Sequence, residues 1–248
     1  MKNIKAKIDK KTILNNISLD FFIGENITIL GPNGSGKSTL IKLINRSIYP
    51  IVEKHSIFKL FNKTNINLWE LRSKIGFLHS DIQNRIKNKS KSIDVVLSGL
   101  DSTIGRPKSE TKSKVNIEKA QIIMNRLSLN NIEELYFNQL SDGQQRKVLI
   151  SRALINNPIV LIFDEPFIGL DINSKYSIFN IIRNLSSQGI SIILATNNID
   201  NIITNTNRII CLKSGKLYKD GSPKEILTSS SISNLYDTKV DIIFSNGY

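Results

Sequence analysis

One run of eight residues, Gly31 to Ser38, constrains the fold of this 248-residue chain more than any other stretch. The run reads GPNGSGKS and fits the pattern G-x-x-x-x-G-K-[ST]. The apolar segment ENITIL precedes it, and a segment with helical periodicity begins at Lys37. Glycine at positions 34 and 36 permits positive φ angles, so that backbone N–H groups can turn inward together. This strand–loop–helix context predicts a phosphate-binding loop in an α/β fold.

The side chains of this loop suit a nucleoside triphosphate. Lys37 can reach the β- and γ-phosphates, and the Ser38 hydroxyl can coordinate Mg²⁺. The N-terminus of the following helix adds partial positive charge. The predicted phosphate-binding residues are Gly31, Pro32, Asn33, Gly34, Ser35, Gly36, Lys37, Ser38 and Thr39.

A second motif, IVLIFDEP at residues 159–166, ends a predicted buried strand in two acids. Acids at the carboxyl edge of a parallel sheet face the ligand crevice. Asp164 can hold Mg²⁺ through water, and Glu165 can polarise an attacking water as a general base. The pair is a weak signal alone, but a strong one downstream of a phosphate loop.

Strands and helices alternate along most of the chain, which predicts a parallel sheet with crossover helices. The first 30 residues read as strands with a turn at Gly24, and HSIFKLF is a further strand candidate. Helices are predicted near residues 115–127, 142–156 and 172–187. The segment from about 80 to 140 is more basic and helical, which is typical of an insertion into the α/β layout.

Bulk properties narrow the class of protein. No apolar stretch approaches the roughly 18 to 20 residues that span a bilayer, and the N-terminus lacks the apolar region of a signal peptide. The only cysteine, Cys211, excludes an internal disulfide and a cysteine-built metal site, and it reads as a small buried residue. The net charge of +13 has two interpretations, a nucleic-acid surface or a lysine-rich genome composition. We expect a cytoplasmic protein, or one peripheral on the cytoplasmic face of a membrane.

A third motif, NQLSDGQQRKVLISRAL, is by itself a capped helix start at Ser141. Together the motifs resemble the ATP-binding cassette (ABC) ATPase family. LSDGQ at 140–144 is similar to the family signature LSGGQ, and GLD at 169–171 is similar to the D-loop. The resemblance extends to about residue 225.

The resemblance implies a fold, cofactors and partners. It implies a P-loop core with a parallel sheet, an N-terminal antiparallel β subdomain and a helical subdomain inserted at about 80–155, all within one nucleotide-binding domain of residues 1–248. It also implies ATP and Mg²⁺ as cofactors and a second cassette, a copy or a paralogue, that faces the first head to tail. Residues implied to contact nucleotide across that dimer are Ser141, Gly143, Gln144 and Asp171. Asp142 replaces a family glycine, and we expect its side chain to face away from phosphate.

Two departures from the family pattern concern the base and the Q-loop. The aromatic residue that stacks on adenine is absent, and only Ile8 or Asp9 is available. The family glutamine, an Mg²⁺ contact, aligns with Ser80, whereas Gln83 follows three residues later. Either could serve as the Q-loop residue. The stretch LWELRSKIGFLHSDIQ resembles one subgroup, the molybdate-transport-associated or photorepair-type cassettes.

A third departure is at the end of the strand SIILAT, where the family has a histidine that contacts the γ-phosphate. Asn197 occupies that position. In the alternative interpretation, Asn198 caps a following helix and Asn197 is a turn residue. An asparagine amide can donate a hydrogen bond but cannot become cationic. We therefore predict a slow ATPase with Lys37, Glu165 and Asn197 as its catalytic residues.

Three functions are compatible with these motifs. The first is the ATPase subunit of a membrane transporter, an importer rather than an exporter, paired with separately encoded transmembrane subunits. The second is a soluble ABC ATPase acting on nucleic acid, translation or cofactor assembly. The third is a nucleotide-sensing module with slow turnover.

Overall fold

The computed structural model describes residues 1–86 and 89–243, and it divides the chain into two compact units. Unit 1 comprises Met1–Leu68 and Ser191–Tyr248, and unit 2 comprises Trp69–Ile190. None of the helices in the described ranges has the length and hydrophobicity that a bilayer-spanning segment requires.

Strands and helices alternate along the chain. The strands are β1 (Ile4–Ile8), β2 (Lys11–Ile17), β3 (Asn26–Leu30), β4 (Ile75–His79), β5 (Val160–Asp164), β6 (Ser191–Thr196), β7 (Arg208–Lys213) and β8 (Lys216–Gly221). The α-helices are α1 (Lys37–Ile44), α2 (Leu68–Lys74), α3 (Ser80–Arg85), α4 (Ser92–Leu97), α5 (Lys114–Arg126), α6 (Asp142–Leu154), α7 (Ile172–Ser187), α8 (Pro223–Ile226) and α9 (Ser229–Tyr236). Single 3-10 turns span Ser109–Thr111, Phe137–Gln139 and Ile199–Asn201.

Unit 1 is built on β3, which runs parallel to β6 on one side and to β7 on the other. These strands are nearly continuous apolar runs because both faces of a parallel sheet are buried. Leu30 pairs with Thr196, so β3 and β6 end at the same level of the sheet. The loops that follow the two strands therefore begin side by side, and the predicted parallel α/β layout is confirmed.

The N-terminal antiparallel pair is also confirmed. Strands β1 and β2 form a hairpin whose two turn residues, Asp9 and Lys10, have φ angles of 46° and 67°. Ile8 closes β1 and is half-buried, whereas Asp9 is exposed in the turn. The predicted turn at Gly24 is present, with a φ of 94°.

Unit 2 contains the parallel pair β4–β5 together with helices α2 to α7. Helices α4, α5 and α6 pack on one another, as the predicted helical insertion requires. Local signals set the helix starts. Ser113 caps α5 by accepting a hydrogen bond from the Asn116 N–H, and Asp171 caps α7 by accepting one from the Ser174 N–H. The bounds of α5, α6 and α7 therefore agree with the three helices predicted in this unit to within two residues.

The strand predicted for HSIFKLF is wrong. Only isolated bridges form there, from Ile57 to Lys2 and from Leu60 to Lys63. Phe61 and Asn62 have φ angles of 49° and 62°, which reverse the chain before a strand can extend. Phe58 is the buried residue of this segment, with the Arg46 guanidinium 4.6 Å from the centroid of its ring, whereas Ile57 is exposed.

Candidate nucleotide site

The predicted phosphate loop of unit 1 joins β3 to α1. Gly34 and Gly36 have φ angles of 77° and 104°, the left-handed region that a side chain rarely adopts. Gly31 is required for a different reason, close packing, because a Cβ atom there would lie 2.3 Å from the carbonyl oxygen of Leu212. At Gly34 an added Cβ would meet nothing within 4 Å, so the open side of the loop lies at this residue.

The polar groups of this loop fit an anionic ligand. Lys37 is only 6% exposed, and its Nζ donates hydrogen bonds to the carbonyls of Gly31 at 2.8 Å and Pro32 at 3.3 Å. The ammonium group is thus held over the loop. The Ser35 hydroxyl is buried and has no hydrogen-bond partner in the described part of the chain. Such groups normally have partners, and a phosphate oxygen bound in the loop would supply one.

Asn197 and Asn198, which follow β6, have different environments. The Asn197 Nδ2 donates to Oδ1 of Asn33 in the phosphate loop at 3.0 Å. Asn198 accepts at Oδ1 from the Asp200 N–H at 2.9 Å and caps the 3-10 turn Ile199–Asn201. The capping interpretation therefore describes Asn198, while the Asn197 side chain lies beside the predicted phosphate-binding residues.

In unit 2, Asp164 ends β5 and is 2% exposed. Its register partner on β4 is His79, and the His79 Nε2 lies 3.1 Å from Oδ2 of Asp164. Sequence reasoning missed His79. The available signal was a histidine at the end of the apolar run IGFLH, but nothing in the sequence pairs that run with β5. Glu165 follows with a φ of 50°, an uncommon conformation for a non-glycine residue.

The signature segment LSDGQ forms the start of α6. Ser141 Oγ accepts from the Gln144 N–H, and Gln144 Oε1 accepts from the Ser141 N–H, which makes a reciprocal capping box. A Cβ on Gly143 would lie 2.5 Å from Ser174 Oγ, so close packing explains this glycine. Asp142 is exposed.

Asp171 of the GLD motif uses both carboxylate oxygens locally. Oδ1 accepts from the Ser174 N–H at 2.9 Å, and Oδ2 accepts from the Ser174 hydroxyl at 2.7 Å. These hydrogen bonds from Ser174 lower the pKa of the carboxyl group below its usual value. Its contact with nucleotide stays a prediction.

Gln83 lies in α3, where its Nε2 donates to Oε1 of Gln145 at 2.7 Å. The Gln145 Nε2 in turn donates to the carbonyl of Leu140, the first residue of the signature. Sequence reasoning did not single out Gln145. The side chain of Ser80 lies outside the described residues, so the choice between Ser80 and Gln83 as Q-loop residue stays open.

The donor set suits Mg²⁺ rather than a metal with an all-protein cage. The described residues contain no cluster of three or more His, Cys, Asp or Glu side chains that could hold a metal ion. Mg²⁺ is usually bound through one or two protein oxygens together with substrate phosphates. Ser38 on unit 1 and Asp164 on unit 2 each carry an oxygen of this kind, and their roles as Mg²⁺ ligands stay predictions.

Comparison with known proteins agrees with this geometry. Residues 14–168 match the model of the family described as ABC transporter. An uncharacterised ABC transporter ATP-binding protein of Methanocaldococcus jannaschii is 33% identical over 230 residues, which are 91% of this chain and 86% of the relative. The zinc import ATP-binding protein of Hydrogenovibrio crunogenus is 28% identical over 95% of this chain and 86% of its own length.

A solved dimeric structure of an ATP-binding cassette, in a post-hydrolysis state with bound ADP and Pi, is similar to this fold. It has a TM-score of 0.72 and 27% sequence identity, and the match covers 89% of this chain and 97% of that one. The family match covers well over half of the chain. The chain therefore belongs to the ABC transporter family, as an ATP-binding cassette that hydrolyses ATP.

Proposed function

We propose that this cassette is the ATPase subunit of a membrane importer. It would lie on the cytoplasmic face, paired with a second cassette, either a copy or a paralogue, and with separately encoded transmembrane subunits. The observation that carries the proposal is the combination of a formed phosphate loop with a capped LSDGQ helix. The similarity to a zinc import ATP-binding protein over 95% of the chain favours import.

On unit 1, the proposed role of the phosphate loop is to bind the nucleotide. The N–H groups at the start of α1 and the Lys37 ammonium would hold the β- and γ-phosphates, and the Ser38 hydroxyl would be a ligand of Mg²⁺. Asn197 would donate a hydrogen bond to the γ-phosphate from its position beside Asn33. An amide offers less stabilisation than a cationic imidazole as negative charge develops, so hydrolysis would be slow.

On unit 2, Glu165 would polarise the attacking water, and its buried neighbour Asp164 would be a ligand of Mg²⁺. Gln83 is a further candidate ligand. The bound Mg²⁺ supplies positive charge that offsets the charge of the phosphates. Ser141, Gly143, Gln144 and Asp171 would contact the nucleotide of the second cassette.

Two measurements test this proposal. The first is phosphate release by the purified full chain with Mg²⁺ and ATP. Lys37→Ala should abolish turnover, whereas Lys42→Ala, a lysine of the same helix outside the loop, should leave it unchanged. Equal turnover in Lys37→Ala and the unaltered protein would overturn the assignment of the loop.

The second measurement concerns the partner. A tagged full chain is recovered from detergent-solubilised membranes of its source cells. We expect a multispanning membrane protein at stoichiometric level, and that protein should raise ATP turnover when the two are reconstituted together. Recovery only in the soluble fraction, on nucleic acid that is released steeply with salt, would instead support the non-transport function that the net charge of +13 allows.

A further inference from the structure

The C-terminal helix of unit 1 reaches the loop that carries Asn197. Tyr236 is the last residue of α9, and its Oη donates a hydrogen bond to the backbone carbonyl of Asn197 at 2.7 Å. The side chain of Asn197 donates in turn to Asn33 of the phosphate loop. Tyr236, Asn197 and Asn33 thus form a continuous series from the C-terminal helix to the nucleotide-binding loop.

Tyr236 is well placed to act as a fixed support. Helix α9 packs into a hydrophobic cluster in which Ile232 and Leu235 are fully buried beside Leu30 and Ile209. At the end of the helix, Lys213 Nζ donates hydrogen bonds to the backbone carbonyl of Asn234 and to the side-chain carboxylate of Asp237. The Asn234 backbone before Tyr236 and the Asp237 side chain after it are therefore both held by Lys213 of β7.

The loop after β6 is held by hydrogen bonds at Thr196 as well as by the bond from Tyr236 to the Asn197 carbonyl. The Thr196 hydroxyl oxygen accepts from the Asn198 N–H and from Asn201 Nδ2. These bonds hold the inner edge of the loop. The bond from Tyr236 restrains the peptide group between residues 197 and 198, next to the Cα atom that carries the Asn197 side chain.

We propose that Tyr236 is a positioning residue for ATP hydrolysis. Its hydroxyl holds the Asn197 amide at the phosphate loop and links the C-terminal helix to the rate of turnover. This inference rests on the proposed role of Asn197. A hydroxyl that merely satisfies a carbonyl would affect stability alone, whereas a positioning residue affects the rate of the bound complex, since small misplacements of a reacting group are costly.

Tyr236→Phe in the full chain removes the hydroxyl and retains the ring. We expect kcat for Mg-ATP to fall about 5-fold with KM within about 2-fold, because the nucleotide-binding groups are untouched. Tyr218→Phe is the matched control. Tyr218 packs against the same cluster, and its hydroxyl has no partner among the described residues, so its kcat should not change.

A double-mutant cycle with Asn197→Ala separates positioning from a general effect on the fold. If Tyr236 acts through the Asn197 amide, Tyr236→Phe should not lower kcat further in the Asn197→Ala background. A loss of equal size in both backgrounds overturns the proposal, as does an unchanged kcat in Tyr236→Phe alone. An unchanged kcat in Asn197→Ala also overturns it, while the ATPase assignment itself is judged separately by Lys37→Ala.

Discussion

At the residue scale, the end of β6 carries the most distinctive feature of this cassette. The strand delivers two neighbouring amides, of which Asn198 caps a turn and Asn197 bonds Asn33 of the phosphate loop. Neither amide can take up a proton near neutral pH. In the proposed nucleotide complex, Asn197 would therefore offer the γ-phosphate a neutral dipole and no positive charge.

Replacing Asn197 by histidine should therefore accelerate hydrolysis. An imidazole can donate the same hydrogen bond and can also become cationic as charge develops on the phosphate. We expect kcat to rise about 10-fold, with nucleotide affinity within about 2-fold, in a steady-state phosphate-release assay. Asn198→His is the control, since its side chain caps the following turn instead. A kcat for Asn197→His no higher than that of the unaltered protein would show that Asn197 does not limit the chemistry.

His79 is the second residue whose role follows from its neighbour. Its contact with Asp164 orients the carboxylate that we assign to Mg²⁺, and such supporting groups typically affect metal affinity by 10–100-fold. His79→Phe retains the bulk and removes the contact. The Mg²⁺ concentration for half-maximal binding of a fluorescent ATP analogue should rise about 10-fold. His55→Phe, the same change at the other histidine of the chain, should leave this concentration unchanged, and an equal shift in both variants would refute the role of His79.

Site residues could be predicted from the sequence where they belong to one continuous motif. Lys37 and Asp164 lie in such patterns, since a strand, a loop and a fixed spacing define them. His79 and Tyr236 do not, because their partners are distant in the chain and meet them only through strand register and helix packing. The sequence shows His79 at the end of an apolar run, but it identifies the partner of neither residue.

At the element scale, the turn between β7 and β8 is hydrogen-bonded to the backbone of the phosphate loop. The Gly215 N–H donates to the carbonyl of Ser35 at 3.0 Å, and the Gly215 carbonyl accepts from the Asn15 N–H at 2.9 Å. Gly215 has a φ of 74°, and a Cβ there would lie 2.0 Å from the Ile13 carbonyl oxygen. Only glycine at position 215 allows the turn to approach β2 and the phosphate loop this closely.

Gly215→Ala should accordingly destabilise the protein by about 3 kcal/mol, since it adds a backbone clash to an unfavourable φ. Gly24→Ala is the matched control. Its φ of 94° is also positive, but a Cβ there meets nothing within 4 Å, so only the conformational cost of about 1 kcal/mol remains. Urea unfolding measures both. Equal losses in the two variants would mean that the close approach of the turn contributes nothing.

Element boundaries were predictable to different degrees. Helices α6 and α7 each begin directly after a capping residue, Ser141 or Asp171, so their starts follow from local chemistry. The segment HSIFKLF has the composition of a strand but only bridges to neighbours, because β structure needs a partner strand in register. A single sequence does not show which strands pair when they are far apart in the chain.

At the scale of the whole molecule, Cys211 provides a single internal reporter of unfolding. Burial in β7 raises the pKa of its thiol to about 12. Because the side chain is also inaccessible, this thiol should react only when the chain opens. Labelling by a thiol reagent should be slowed about 1,000-fold relative to the urea-unfolded chain, and saturating Mg-ATP should slow it further. Labelling of the native protein at the unfolded rate would contradict the burial of β7.

The order of the strands also has a consequence for synthesis on the ribosome. Strand β3, which leads into the phosphate loop, pairs with β6 and β7, and both are translated more than 160 residues later. At about 5 to 20 residues per second, β3 waits about 10 to 40 s for its neighbours. Unit 2 is continuous in sequence and is complete before that point. The nascent chain therefore cannot gain stability from ATP until its last quarter has been made, and during that interval the apolar β3 is left for chaperones to cover.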